Sequence, residues 1–181
     1  MNIPKQYTSL TYIHDIDWRD IFAVWRSYEA YQKGWEKHWI ERGFDSWDMW
    51  RRSYIASLAP ESRQWEVYRI ADPAHDVSLM YGVPSRGWQA KCYDGASTKR
   101  IADILLHPMV ADNPKMREIE ENFPHQTMLT GIVHEGKIVL AEGMHRACVL
   151  ARMKACKEND VTIALAPYDG EIPSIGKGDR K

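Results

Sequence analysis

The residue types best suited to chemistry meet at Glu142-Gly143-Met144-His145-Arg146. An apolar run, KIVLA, precedes them, and a segment with helical spacing begins at Met144. A strand that ends where a helix starts leaves the first backbone N–H groups without intrahelical partners. The helix dipole favours negative charge at the same place. Gly143 lets the backbone approach a ligand. Arg146 offers a planar fork for a phosphate, and His145 can donate a hydrogen bond or move a proton. Glu142 can orient a protonated group or act as a base, and Met144 completes the turn. Lys99 and Arg100, near another expected helix start, would add positive charge to a phosphate site. The plain alternative is a solvated histidine and arginine in a first helical turn, and a solvated helix face for Lys99 and Arg100.

Other candidates are thinner. Asp72 and Asp94 lie in an irregular stretch without a motif around them, and Glu118, Glu120 and Glu121 read as a solvated helix face. His107, His125 and His134 are dispersed with no H-x-x-x-H pair, so no metal site is expected. GKGDR at 176–180 lacks the G-x-x-x-x-G-K-[ST] pattern of a phosphate loop. The three cysteines, Cys92, Cys148 and Cys156, include no C-x-x-C pair. Cys148 and Cys156, two helical turns apart, are too distant to bridge, so reduced thiols in a cytosolic setting are expected.

These residues need elements to hold them. Asp17 can cap a helix in which Trp18, Ile21, Phe22, Trp25 and Tyr28 form one face. Trp35 and Trp39 lie one turn apart, and Asp45 can cap a helix carrying Trp47, Trp50, Tyr54 and Leu58. Residues 1–16 read as an extended lead-in. WEVYRI (65–70) alternates and predicts a strand. A long irregular connection over 71–96 follows, with a short strand near 78–82. Ser97 can cap a helix over 98–106, and Asn113-Pro114 starts another that runs to Asn122. TMLTGIVH, Glu135-Gly136 and KIVLA form a hairpin. A helix from Met144 to Cys156 and a strand VTIALA (161–166) complete the order. Helices first, then mixed strands and helices, predict an α+β fold. Its parts are a Trp-rich helical segment over 1–62, a domain over 63–170, and a flexible tail over 171–181.

The sequence GKIVLAEGMHRACVLARM (136–153), with MLTGIV before it and VTIALA after it, resembles the core of the ParB/sulfiredoxin superfamily. The shared features are a hairpin strand, a G-x-[HR]-R turn at a helix start, a helix of small and apolar residues, and a further strand. The resemblance covers about residues 98–167. It implies a small mixed sheet with helices, and a phosphate or nucleotide site at 142–146. Sulfiredoxins carry a catalytic cysteine where Met144 stands, so sulfinic-acid reduction is not expected. ParB partition proteins carry G-E-R-R, bind cytidine triphosphate and continue into a DNA reader. Here His145 replaces the first arginine and the chain ends soon after the core. A branch resembling free serine kinases carries a G-H-H-R-like turn and a carboxylate base. Family members described as nucleases would need a carboxylate cluster for metal ions, which this sequence does not assemble.

The function expected from this is binding of a nucleotide or phosphorylated small molecule, with phosphoryl transfer or nucleotide hydrolysis as the chemistry. ATP or CTP would bring Mg²⁺ through its own oxygens. Two alternatives are a non-enzymatic module with a vestigial pocket, and a ParB-like DNA-binding or nuclease protein. The chain has 181 residues, with 24 basic and 25 acidic, for a net charge of −1. That gives no general attraction to nucleic acid or anionic membranes. No secretory signal and no apolar run near the roughly 20 residues of a membrane span occur, so a cytoplasmic protein is expected. Six of the 8 tryptophans (Trp18, Trp25, Trp35, Trp39, Trp47, Trp50) fall in the first segment. Helical spacing makes them core. An interaction face for a protein partner is the sharper alternative, and an aromatic platform for nucleic-acid bases is a third.

Overall fold

The computed structural model describes residues 1–31, 33–153 and 159–176. Strand β1 (Leu10–Ile16) leads into helices α1 (Trp18–Glu29), α2 (Lys33–Glu41) and α3 (Trp47–Ile55). Two 3-10 turns follow, then β2 (Trp65–Ile70), α4 (Pro73–Leu79), α5 (Arg86–Cys92) and α6 (Ile101–Ile104). The chain continues through α7 (Pro108–Ala111), α8 (Pro114–Glu121), β3 (Gln126–His134), β4 (Lys137–Glu142), α9 (Met144–Arg152) and β5 (Asp160–Pro167). The five strands make one sheet in the order β1-β2-β5-β3-β4. The β3–β5 pair is parallel and the others are antiparallel. The architecture is α+β. No helix among the described residues is long and apolar enough to cross a membrane.

Local chemistry explains most of these elements. Asp17 accepts a hydrogen bond from Arg19 N at the start of α1, and Asn113 accepts one from Lys115 N at the start of α8. Both satisfy N–H groups the helix cannot. Glu135 and Gly136 both take left-handed backbone, at φ 45° and 73°. That is the two-residue turn whose twist matches a hairpin.

Several expectations need correction. The lead-in ends in a strand, β1, whose residues are largely exposed, so it shows no alternation of apolar and polar types. Ser46 rather than Asp45 caps α3, accepting from Met49 N. No strand forms over 78–82. Helix α4 occupies 73–79, and Tyr81 alone bridges to β4, through Ile138 O at 2.8 Å and Leu140 N at 2.9 Å. The helix expected over 98–106 is only α6. Lys99 O accepts from Gly82 N, and the Thr98 hydroxyl donates to Gly82 O, which keeps that stretch extended until Arg100. Cys156 and the end of the expected helix lie outside the described residues, as do 177–181 of the expected tail.

The tryptophans are core. Trp18, Trp25, Trp47, Trp50 and Trp65 are buried, and Trp35 and Trp39 are partly so. Trp18 from α1 packs against Trp65 from β2 at 5.4 Å between centroids. β1 pairs with β2, so the first sixty residues and the remainder share one sheet and one core.

Trp25 also ties α1 to β3, its Nε1–H donating to Thr130 Oγ1 at 2.9 Å in a fully buried setting. Thr130 stands at an irregularity in the hairpin. It pairs with Glu142, whereas Gly131 pairs with Leu140, so Ala141 is an extra residue in β4. Gly131 is needed there, since a Cβ would lie 2.9 Å from Val139 O. Bulges of this kind re-aim side chains at the end of a strand. Thr130→Val keeps the shape but leaves the Trp25 N–H buried and unpaired. Urea denaturation should register a loss of about 1–3 kcal/mol, and a neutral change would show that this bond does not hold α1 on the sheet.

Candidate functional site

The bulge puts Ala141 and Glu142 on the wall of a cavity of about 920 Å³, and Gly143 to Arg146 continue that wall. The size suits a small organic ligand. Gly143 precedes α9 with φ 89° and offers no side-chain cap. The first N–H groups of α9 therefore have no partner within the helix. Left-handed backbone favours glycine. A Cβ at 143 would also sit 2.5 Å from Leu129 Cδ2. Close packing on β3 is thus a second reason for Gly143 besides its left-handed backbone.

Arg146 is engaged with the protein itself. Its Nη2 donates to both Glu142 oxygens, at 2.9 and 2.7 Å. Its Nη1 donates to Thr127 Oγ1 at 2.6 Å and Met128 O at 3.2 Å. The guanidinium also lies 4.3 Å from the Tyr28 ring centroid. Arg146 thus fixes Glu142 and joins α9 to β3. His145 is half-buried, edge-on to Trp88 at 5.3 Å. Burial, reinforced by Lys115, pushes its imidazole down to about 4. It is neutral at physiological pH and adds no charge to the site. Met144 is buried, and Cys148, one turn further into α9, is buried with its thiol pushed up to about 12. No reactive thiolate stands at this turn.

Lys99 and Arg100 are not brought to the cavity. Lys99 pairs with Asp94 at 2.6 Å, and Arg100 pairs with Asp103 one turn along α6 at 3.1 Å. Asp72 caps α4, accepting from His75 N.

The opposite wall comes from the N-terminal helices, which the sequence did not mark as part of a site. Arg51 from α3 pairs with Glu29 from α1, Nε to Oε2 at 2.7 Å and Nη2 to Oε1 at 2.5 Å. Trp47 Nε1 donates to Glu29 Oε2 at 3.1 Å. Both side chains are more than nine-tenths buried. Four rings surround the Arg51 guanidinium, with centroids at 5.1 Å (Trp25), 5.8 Å (Trp35), 5.0 Å (Trp50) and 4.6 Å (Tyr54). Burial raises the Glu29 carboxyl above its usual range, while Arg51 and the Trp47 N–H pull the other way. One signal was present in the sequence. Glu29 and Arg51 both fall on the apolar stripes of their helices, in step with Trp18-Phe22-Trp25 and Trp47-Trp50.

The charge around this space is uneven. Among the described residues, six cations line it (Arg42, Arg51, Arg86, Lys91, Lys115 and Arg146) against three carboxylates (Glu29, Glu118 and Glu142). Arg51 and Arg146 are neutralised by Glu29 and Glu142. Arg86 and Lys91, both on α5, and Lys115 on α8 are exposed and form no ion pair among the described residues. A chain of net charge −1 thus gathers positive charge at one cavity. Such a concave surface concentrates anions. No group of three or more metal-ligating side chains occurs among the described residues. No family model, curated protein or solved structure matches the chain.

Two outcomes follow from the geometry. Arg51→Met leaves Glu29 buried without its counter-charge and should cost about 3–5 kcal/mol in chemical denaturation. Combining it with Glu29→Leu should recover a large part of that loss. A single variant within ~1 kcal/mol of the parent would show the pair to be dispensable. For His145, the unfolded chain takes up a proton near pH 6.5, but the folded protein only near pH 4. Stability therefore falls as pH drops through that interval, and His145→Gln should flatten this part of the profile. NMR titration of the imidazole should give a midpoint near 4, and a midpoint near 6.5 would contradict the buried placement.

Proposed function

We propose that the protein binds a nucleotide or another phosphorylated small molecule in this cavity, and that its fold is of the ParB/sulfiredoxin type. The fold assignment is supported by the β3–β4 hairpin, the Gly143-Met144-His145-Arg146 turn at the head of α9, and the parallel return of β5 beside β3. The observation that carries the binding proposal is the charge of the cavity. Arg86, Lys91 and Lys115 stand at it without carboxylate partners, beside the uncapped start of α9.

The phosphate contacts fall to different groups than the turn motif alone suggests. Arg146 is held by Glu142, so the anion is left to the first N–H groups of α9 and to the three exposed cations. Glu142 keeps oxygen lone pairs at the cavity wall while Arg146 holds it in place. A hydroxyl or water beside a bound phosphate could pass its proton to that carboxylate, which is what phosphoryl transfer or hydrolysis requires. His145, neutral, would serve as a hydrogen-bond donor and not as a cation. Mg²⁺ would arrive on the triphosphate oxygens of ATP or CTP, because the cavity offers only scattered carboxylates.

Titration calorimetry with ATP, CTP and GTP, each with Mg²⁺, tests this proposal. At least one should bind, and Arg86→Glu with Lys91→Glu should weaken it by about ten-fold or more, with a shallower dependence on salt. Absence of heat with all three, or unchanged binding by the charge-reversed protein, would defeat the proposal.

A further inference from the structure

The rings along the cavity are not equivalent. Tyr28 carries the Arg146 guanidinium at 4.3 Å, and Tyr54 carries that of Arg51 at 4.6 Å. Both cations are fixed by bonds to buried carboxylates, so neither ring can exchange its partner. Trp50 is buried, and Trp88 stands edge-on to His145. Trp35, on α2, differs. It is backed from the interior by Trp50, tilted 34° at 5.4 Å, and by Arg51 at 5.8 Å. Among the described residues, its other ring contacts are the ammonium of exposed Lys115, 4.9 Å from its centroid, and His38 at its edge. Lys115 is exposed and has no carboxylate partner among the described residues. A cation–π contact at an exposed site is weak, so a better-fitting partner can displace it.

We infer that the indole of Trp35 is the stacking surface for a flat aromatic ring in the ligand, with the Lys115 ammonium moving from that ring to the ligand's phosphate. The inference rests on the anion-binding proposal above and narrows it. The ligand combines an aromatic ring with phosphate, and the N-terminal helices, rather than the turn at Gly143, recognise the ring. Stacking on an indole tolerates any base, since each offers a π-face. Specificity among bases would then come from groups around the ring edge, where His38 lies edge-on to Trp35 at 5.6 Å.

The test compares ATP with inorganic tripolyphosphate, which carries the charge and lacks the ring, on the full chain by titration calorimetry. In the parent protein ATP should bind more tightly than tripolyphosphate. Trp35→Leu should lower ATP affinity by about five-fold or more and leave tripolyphosphate binding unchanged, which also shows that the variant is folded. In the unaltered protein, the Trp35 ring should show NOEs to the adenine protons and ring-current shifts with ATP, and with tripolyphosphate only the smaller shift from losing the Lys115 ammonium, a readout that holds even if Trp35→Leu does not fold. Equal affinities of the parent for the two probes, an unchanged ratio in Trp35→Leu, or a Trp35 ring unmoved by bound ATP would overturn the stacking site and leave the anion site standing. Binding of neither probe would overturn both.

Discussion

The buried pair of Glu29 and Arg51 is the constraint on which the rest of the molecule hangs. Two charges removed from water cost several kcal/mol each unless both are fully matched. The match here takes three donors on one carboxylate and four aromatic rings around one guanidinium. Those partners come from α1, α2 and α3, so satisfying the pair fixes how the three helices meet. It also decides what the cavity sees of them. The tryptophan surplus of the first segment is the apolar shell that such a pair requires, with Trp25 passing the arrangement on to β3 through Thr130.

On the facing wall, a second arginine–carboxylate pair uses the same chemistry to a different end. Arg146 and Glu142 are four residues apart, across the bend from strand to helix. The bulge at Ala141 and the left-handed Gly143 make that bend, and the arginine locks it onto Thr127 and Met128. Each of these two pairs is therefore internally neutral. The excess positive charge arrives separately, on Arg86, Lys91 and Lys115 from α5 and α8. This division explains how a chain of net charge −1 can present a basic recess.

Features set by neighbouring residues were legible in the sequence. Asp17, Asn113-Pro114 and Glu135-Gly136 act within a few positions of themselves, and the structure forms the cap, the helix start and the hairpin they imply. The strand-to-helix turn at 142–146 was equally local. What sequence could not supply is the cost and company of each group in three dimensions. Arg146 looks like a phosphate ligand until Thr127 and Glu142 close on it. Lys99 looks available until Asp94 pairs with it. Strand β1 was hidden because an exposed edge strand needs no apolar alternation, and its identity comes from pairing with β2. Helix α5, short and carrying Gly87, has too weak a propensity to announce itself, yet it brings two of the exposed cations.

The molecule thus holds a recess walled by aromatic helices on one side and by the start of α9 on the other, with exposed cations beside it. The most direct measurement is an amide NMR titration of the full chain with tripolyphosphate. The account predicts shifts at Met144, His145 and Arg146, where the helix begins, together with Arg86, Lys91 and Lys115. Shifts confined to surfaces away from the cavity, or no shifts at millimolar ligand, would contradict it.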